Sequence, residues 1–225
     1  MTRIRALQPV TRLAIILAIA LAMSGIAIAM APGTPQHDAV HAASRTSRAT
    51  FHDAMRVLWV DHIVWTRMAI IGIADDRADR DLAIERLLQN QDDIGDAIKP
   101  FYGEAAGEAL SALLREHIIG AAELLAAAKS GDADAIQAAS DAWYVNSAEI
   151  GSFLAEANPR NWDRVEMQAM MADHLDLTLA EASARLEPNY PADVAAYDQI
   201  HAQILHMADM LSDGIVAQFP GRFSR

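Results

Sequence analysis

A chain of 225 residues with a formal net charge of −12 and no cysteine has neither disulfides nor thiolate ligands, so its fold must rest on packing and any metal on N, O or thioether donors. Its acidity sets nucleic acid aside as a partner, because binding phosphates takes clustered Lys and Arg. Hydrophobic residues make up 52% of it, enough to fill the core of one domain.

Arg3, Arg5 and Arg12 precede an uncharged run from Leu13 to Ala31. A basic segment followed by an apolar run is the pattern of an export signal, and this run is also long enough to span a bilayer. Residues 1–31 are therefore expected to be a signal peptide, with Ala27-x-Ala29 and Val40-x-Ala42 as small-residue cleavage motifs, or an N-terminal anchor through residues 13–31. Either way the protein is expected to be exported, periplasmic or extracellular, and to touch a membrane only through this segment. Residues 32–49 are rich in Pro, Gly, His and Ser and read as a flexible spacer before a domain at 50–225. Three Arg and one Asp lie before residue 43, so the remainder is more acidic than the whole.

From there the apolar period is helical. Leu58, His62, Trp65, Ala69 and Gly72 recur at three and four, as do Leu110, Leu114, His117, Ala121 and Leu125. Similar stripes run through 84–101, 136–153, 167–186 and 194–219, and no stretch alternates in the manner of a strand. Polar or Pro/Gly-containing segments at 75–81, 100–104, 130–132, 158–162 and 187–191 separate them. The predicted fold class is all-α, an up-and-down antiparallel bundle of about six helices.

An acid stands directly before a histidine three times on these stripes, at Asp61-His62, Glu116-His117 and Asp173-His174. The interval between successive histidines is nearly constant and matches one helical hairpin with its connection. A second element keeps the register. Asn90-x-x-Asp93-Ile94-Gly95 precedes Asn146-x-x-Glu149-Ile150-Gly151 by the same interval, and His206-x-x-Asp209-Met210 can be laid on the same frame. The helices thus read as three degenerate hairpins, each with Asp/Glu-His on its first helix and Asn/His-x-x-Asp/Glu on its second. At ~1.5 Å per residue these groups lie at similar heights from their turns and form one mid-bundle layer, although Asp93 and His117 differ by ~7 Å along the axis.

Buried imidazoles and carboxylates need a compensating partner, and a transition-metal ion is one. The expected ligand set is His62, His117, His174, His206, Asp93, Glu149 and Asp209, with His201 competing with His206 on the last helix. Adjacent residues lie about 100° apart on a helix, so Asp61, Glu116 and Asp173 are expected behind the ligands or at the rim, with Asn90 and Asn146 orienting them. Copper, zinc, iron and manganese all accept such donors. Met167, Met170, Met171, Met207 and Met210 stand at helical spacings nearby; they read as core filling, and the Met/His mixture also suits copper. The alternative is a metal-free structural, sensory or interaction bundle whose layer is a hydrogen-bonded Asp/Glu-His-Asn array, with a small ligand as its partner. No phosphate loop, nucleophile elbow or His-Glu-x-x-His motif supports an enzyme.

The segments 58–67 (LWVDHIVWTR), 87–103 (LLQNQDDIGDAIKPFYG) and 206–215 (HMADMLSDGI) resemble an uncharacterised family of bacterial exported helical-bundle proteins, over nearly all of the chain after the spacer. Its members bear inconsistent enzyme names, kinase and glycosyltransferase among them. The resemblance implies a shared helical fold; neither a nucleotide motif nor an alternating β/α pattern is present to support those names.

Overall fold

A computed structural model describes residues 46–224; the expected signal or anchor, and the spacer up to residue 45, lie outside the described residues. Six helices follow one another: α1 (Arg48–Ala74), α2 (Arg80–Tyr102), α3 (Glu104–Ser130), α4 (Ala133–Ala157), α5 (Arg164–Leu186) and α6 (Tyr190–Gln218). Four of the starts are capped by side chains that accept from otherwise unpaired amides. Ser47 accepts from the Thr50 amide, Asp132 from Ala135, Asp163 from Val165 and Glu166, and Asn189 from Ala192. Pro100, expected in a connection, lies in the last turn of α2, because Gly103 at φ 87° reverses the chain to α3 by itself.

Each helix packs against its neighbours in sequence and α6 returns to α1, closing a ring; α1 also touches α3 and α5 across the interior. The odd-numbered helices therefore line the centre, and the three hairpins are arranged around an approximate threefold axis. The ring is clasped at one end, where Thr46–Ser47 (β1) pairs in parallel with Phe223–Ser224 (β2) and Phe223 packs between Phe51 and Phe101. Residues 46–49, expected in the spacer, thus belong to this clasp and to the first turn of α1.

The repeated Ile-Gly of the sequence has a packing cause. A Cβ on Gly95 would stand 2.5 Å from the Gly107 carbonyl oxygen, and one on Gly151 would stand 2.9 Å from the Gln168 backbone. Only glycine lets α2 meet α3, and α4 meet α5, this closely. Alone among the described helices, α1 is long and apolar enough to cross a bilayer, but here that apolarity serves the centre of a bundle, where Met55, Trp59, His62 and Ile63 are buried.

The core is uneven along the axis. Toward the clasp it is one cluster, with Met55, Trp59, Leu110, Leu114, Met167, Met171 and Ile204 among its members. Toward the opposite end it breaks into three small clusters, around Ile70 and Leu125, around Leu87 and Ile118, and around Leu124 and Leu175.

Candidate functional site

Between those two halves lie His62, His117 and His174, each no more than 4% exposed. Their helices run parallel and bring the rings to the axis: His174 is 5.6 Å from His62 and 6.4 Å from His117, centre to centre. Trp143 stacks on His117 at 5.2 Å, and Trp59 meets His62 edge-on at 5.8 Å. One pattern of contact recurs at all three rings: Nδ1 is met by a side-chain amide 29 residues later in the chain, on the following helix. Asn146 Oδ1 lies 3.0 Å from His117, Gln203 Oε1 3.2 Å from His174, and Gln91 Nε2 3.3 Å from His62.

On α3 and α5 the same amides also reach the backbone carbonyl one turn before their histidine. Asn146 Nδ2 donates to Leu113 O at 3.1 Å, and Gln203 Nε2 donates to Met170 O at 3.2 Å. Those bonds fix which way each amide faces, so Oδ1 and Oε1 accept from Nδ1–H of His117 and His174 and leave Nε2 as the lone-pair edge of both rings. In the first hairpin the two tasks are divided. Asn90 donates to Leu58 O at 3.0 Å, while Gln91 Nε2 donates one proton to Leu87 O at 2.8 Å and shares the other between Asn90 Oδ1 at 3.1 Å and His62 Nδ1 at 3.3 Å. His62 therefore carries its proton on Nε2, and Gln91 Oε1 is buried without a partner among the described residues.

Burial first, and the neighbouring histidines second, push His62 well below the usual imidazole range; His117 is pushed down to about 3 by burial and His174, and His174 to about 4 by burial. The layer is neutral at physiological pH. Replacing Asn146 with Leu strands His117 Nδ1–H and takes from Leu113 O the bond it accepts beyond its helical one, a loss expected to cost about 1–3 kcal/mol. Urea unfolding should show a lower midpoint at unchanged slope.

The remaining expected ligands do not join the layer. Asp93 sits 43% exposed beside Arg86 at 3.6 Å, because two residues past Gln91 it faces the far side of α2. Glu149 is exposed on α4. Asp209 is bound by Arg56 through two 2.6 Å bonds at the surface, with His52 4.0 Å away. His206 and His201 are both exposed, so neither faces the layer; His201 lies 6.5 Å from the Tyr197 ring. Gln203, rather than His206, holds the third position of the frame. Glu116 and Asp173 are exposed and Asp61 is half-buried, so of the two places expected for these acids the rim is the one they take, one residue off the inward stripe, and the side chains that meet the rings are the amides of Gln91, Asn146 and Gln203. Among the described residues, no three His, Asp or Glu side chains already surround one ion-sized point.

A second buried polar group ties α1, α5 and α6. Arg67 Nη1 is paired with Glu181 and lies 2.7 Å from Asp193, both 1% exposed; Arg185 reaches Asp193 at 3.5 Å and also pairs with Asp75. Tyr197 lies under the Arg67 guanidinium at 4.8 Å. Burial raises the Glu181 carboxyl to about 7 against the pull of Arg67.

Beyond the layer, away from the clasp, is a cavity of about 170 Å³ between the inner helices.

Comparison with family models, with curated proteins and with solved structures returned no match. The site must be interpreted from its own chemistry. Gln91, Gln203 and the Arg67 cluster were not among the residues expected from sequence. For the two glutamines a signal was present in the constant step from histidine to amide, which is 29 residues in every hairpin.

Proposed function

We propose that the protein binds one transition-metal ion on its threefold axis through His62, His117 and His174. The observation that carries this reading is the set of three adjacent, buried, neutral imidazoles, each pinned at Nδ1 by a side-chain amide. Metal-binding histidines commonly donate their second ring N–H to an acceptor, as His117 and His174 do here, since that bond fixes the direction of the other nitrogen. With Asp93, Glu149 and Asp209 at the surface, the donor set is all imidazole. That favours zinc or copper over manganese or iron, which take carboxylates more readily. Nitrogen ligands ~2.0–2.1 Å from a tetrahedral ion place ring centres roughly 5 Å apart. From 5.6 and 6.4 Å the rings close by about 1 Å to meet that geometry, and the Gln91 amide gives up its bonds to Leu87 O and Asn90 Oδ1 and turns away from them so that Oε1, unpartnered now, accepts from His62.

A second reading rests on that same amide. As it stands, Gln91 makes His62 an Nε2–H donor beside two Nε2 acceptors, a complementary neutral set that needs no ion and would serve to fix helix register. Melting experiments separate the two. An ion at a hundredfold excess over Kd that binds only the folded state adds about 2.7 kcal/mol, a rise of roughly 5–10 °C for a domain of this size. The expected result is such a rise with zinc or copper in untagged protein, absent in His117→Ala, kept at pH 6 and shrinking only as the pH approaches the range of about 3 to 4 in which His117 and His174 take up protons in the folded chain. A wild-type Tm indifferent to zinc, copper, iron and manganese removes the metal reading and leaves the hydrogen-bonded layer.

A further inference from the structure

We infer that the cavity beyond the histidine layer is a binding site for one small apolar molecule, the size of a benzene ring or slightly larger. The inference is independent of the metal reading, since it rests on the other half of the bundle. The cavity begins at Thr66 and Thr178, one turn past His62 and His174, and extends to Ile73, Ala128 and Leu186 near the ends of α1, α3 and α5. From Thr66 to Ile73 that is roughly 10 Å at ~1.5 Å per residue.

Its volume has a cause in the sequence. Each inner helix presents alanine to it, Ala69 from α1, Ala121 and Ala128 from α3 and Ala182 from α5, whereas the same helices fill the clasp side with Met55, Trp59, Leu114 and Met171. Small side chains on all three inner helices, with Ala69 and Ala182 at nearly one level and Ala121 and Ala128 on either side of it, leave the space unfilled, and the core there falls into three separate clusters around it. The polar groups nearest the layer are satisfied: the Thr66 hydroxyl donates to His62 O and the Thr178 hydroxyl to His174 O, both at 2.8 Å. Trp143, another lining residue, donates its indole N–H to His117 O at 3.0 Å. Apart from the Ser183 hydroxyl on the exposed side, what remains facing the space is aliphatic carbon and the Trp143 ring; a closed cavity of about 150 Å³ with such walls stays dry and takes benzene or xenon. The occupant chosen by volume and lining is therefore a hydrocarbon or an aromatic ring without charge. The outermost lining residue, Ser183, is exposed and marks the side from which a ligand enters.

The test uses the full chain, stripped of metal with a chelator, and benzene as the probe. Methyl NMR during a benzene titration should shift Ile70, Leu87, Ile118 and Leu125 in a saturable way and leave Ile150, Leu154 and Leu211 on the clasp side unmoved. The Tm should rise by roughly 3–5 °C at tenfold excess over Kd. Ala182→Leu, which fills the space from α5, should abolish both responses, and Ala121→Leu does the same from α3 should the first variant fail to fold. No saturable shift in the wild type, shifts spread evenly over both halves of the core, or an undiminished response in a folded, filled variant each overturn the proposal.

Discussion

Acidification from pH 7 to pH 4.5 is expected to remove roughly 5 kcal/mol of folding stability, enough to unfold a domain of ordinary stability. The three layer histidines bind protons in the unfolded chain near pH 6.5, but in the folded chain only far below that, at about 3 for His117 and about 4 for His174. Over the window between, the unfolded state holds more protons, so stability falls as pH falls, by about 1.4 kcal/mol per pH unit for each ring. Glu181 acts in the opposite sense. Its folded carboxyl keeps a proton up to about pH 7, so its contribution is present at low pH and fades as pH rises through 7. One carboxyl offsets one of three rings, and the net loss on acidification is that of two. Surface carboxylates such as Asp209, which Arg56 holds below the usual range, add to the loss only further down. Urea unfolding at half-unit steps should show stability climbing from pH 4.5 and levelling off only above about pH 7, once the unfolded imidazoles have lost their protons. A profile flat over that window would mean that the rings are already protonated, or reachable by protons, in the folded bundle.

Replacing Arg67 with Met should cost about 3–5 kcal/mol at pH 7, the usual penalty for stranding a buried partner. Asp193 is the reason. It is 1% exposed and keeps only the longer contact to Arg185 at 3.5 Å once Arg67 is gone. Glu181 can take up a proton at little cost, so Glu181→Gln should be far milder than Arg67→Met, and the gap between the two should widen above pH 7, where Glu181 left without Arg67 must ionise unpaired. Chemical denaturation of both variants at pH 6 and pH 8 checks the ordering. Equal losses would assign the cluster to surface-like pairing, worth at most about 1 kcal/mol.

The helices and the inward histidines were legible because one rule governs both: a residue on a three-four stripe faces the centre whatever its polarity. His62, His117 and His174 sit on such stripes, and so they meet. The partners were harder to read. The frame through Asn90 and Asn146 is real, since both reach the carbonyl one turn before a histidine. Following its acids instead of its amides led to His206 and Asp209, whose polar groups are at ease only near water. Gln203 stands one turn earlier and carries no acid to announce it. The first hairpin is shorter by a single position between ring and frame, which is why Gln91 rather than Asn90 meets His62. Arg67, Glu181 and Asp193 pair across 114 and 126 residues, and no local pattern encodes a contact of that reach. The cavity was illegible for another reason. An alanine on an inward stripe looks the same in sequence whether its neighbour fills the space or leaves it.

The clasp between Thr46–Ser47 and Phe223–Ser224 gives the ring no natural seam. The helix-to-helix junction between α6 and α1 is packed like the five that a loop connects, so covalent continuity matters no more there than elsewhere. A permuted chain that joins residue 224 to residue 46 through a short linker and opens at Gly131, between α3 and α4, would keep every neighbour relation around the axis. For the hairpins, order along the chain and order around the circle are separable properties.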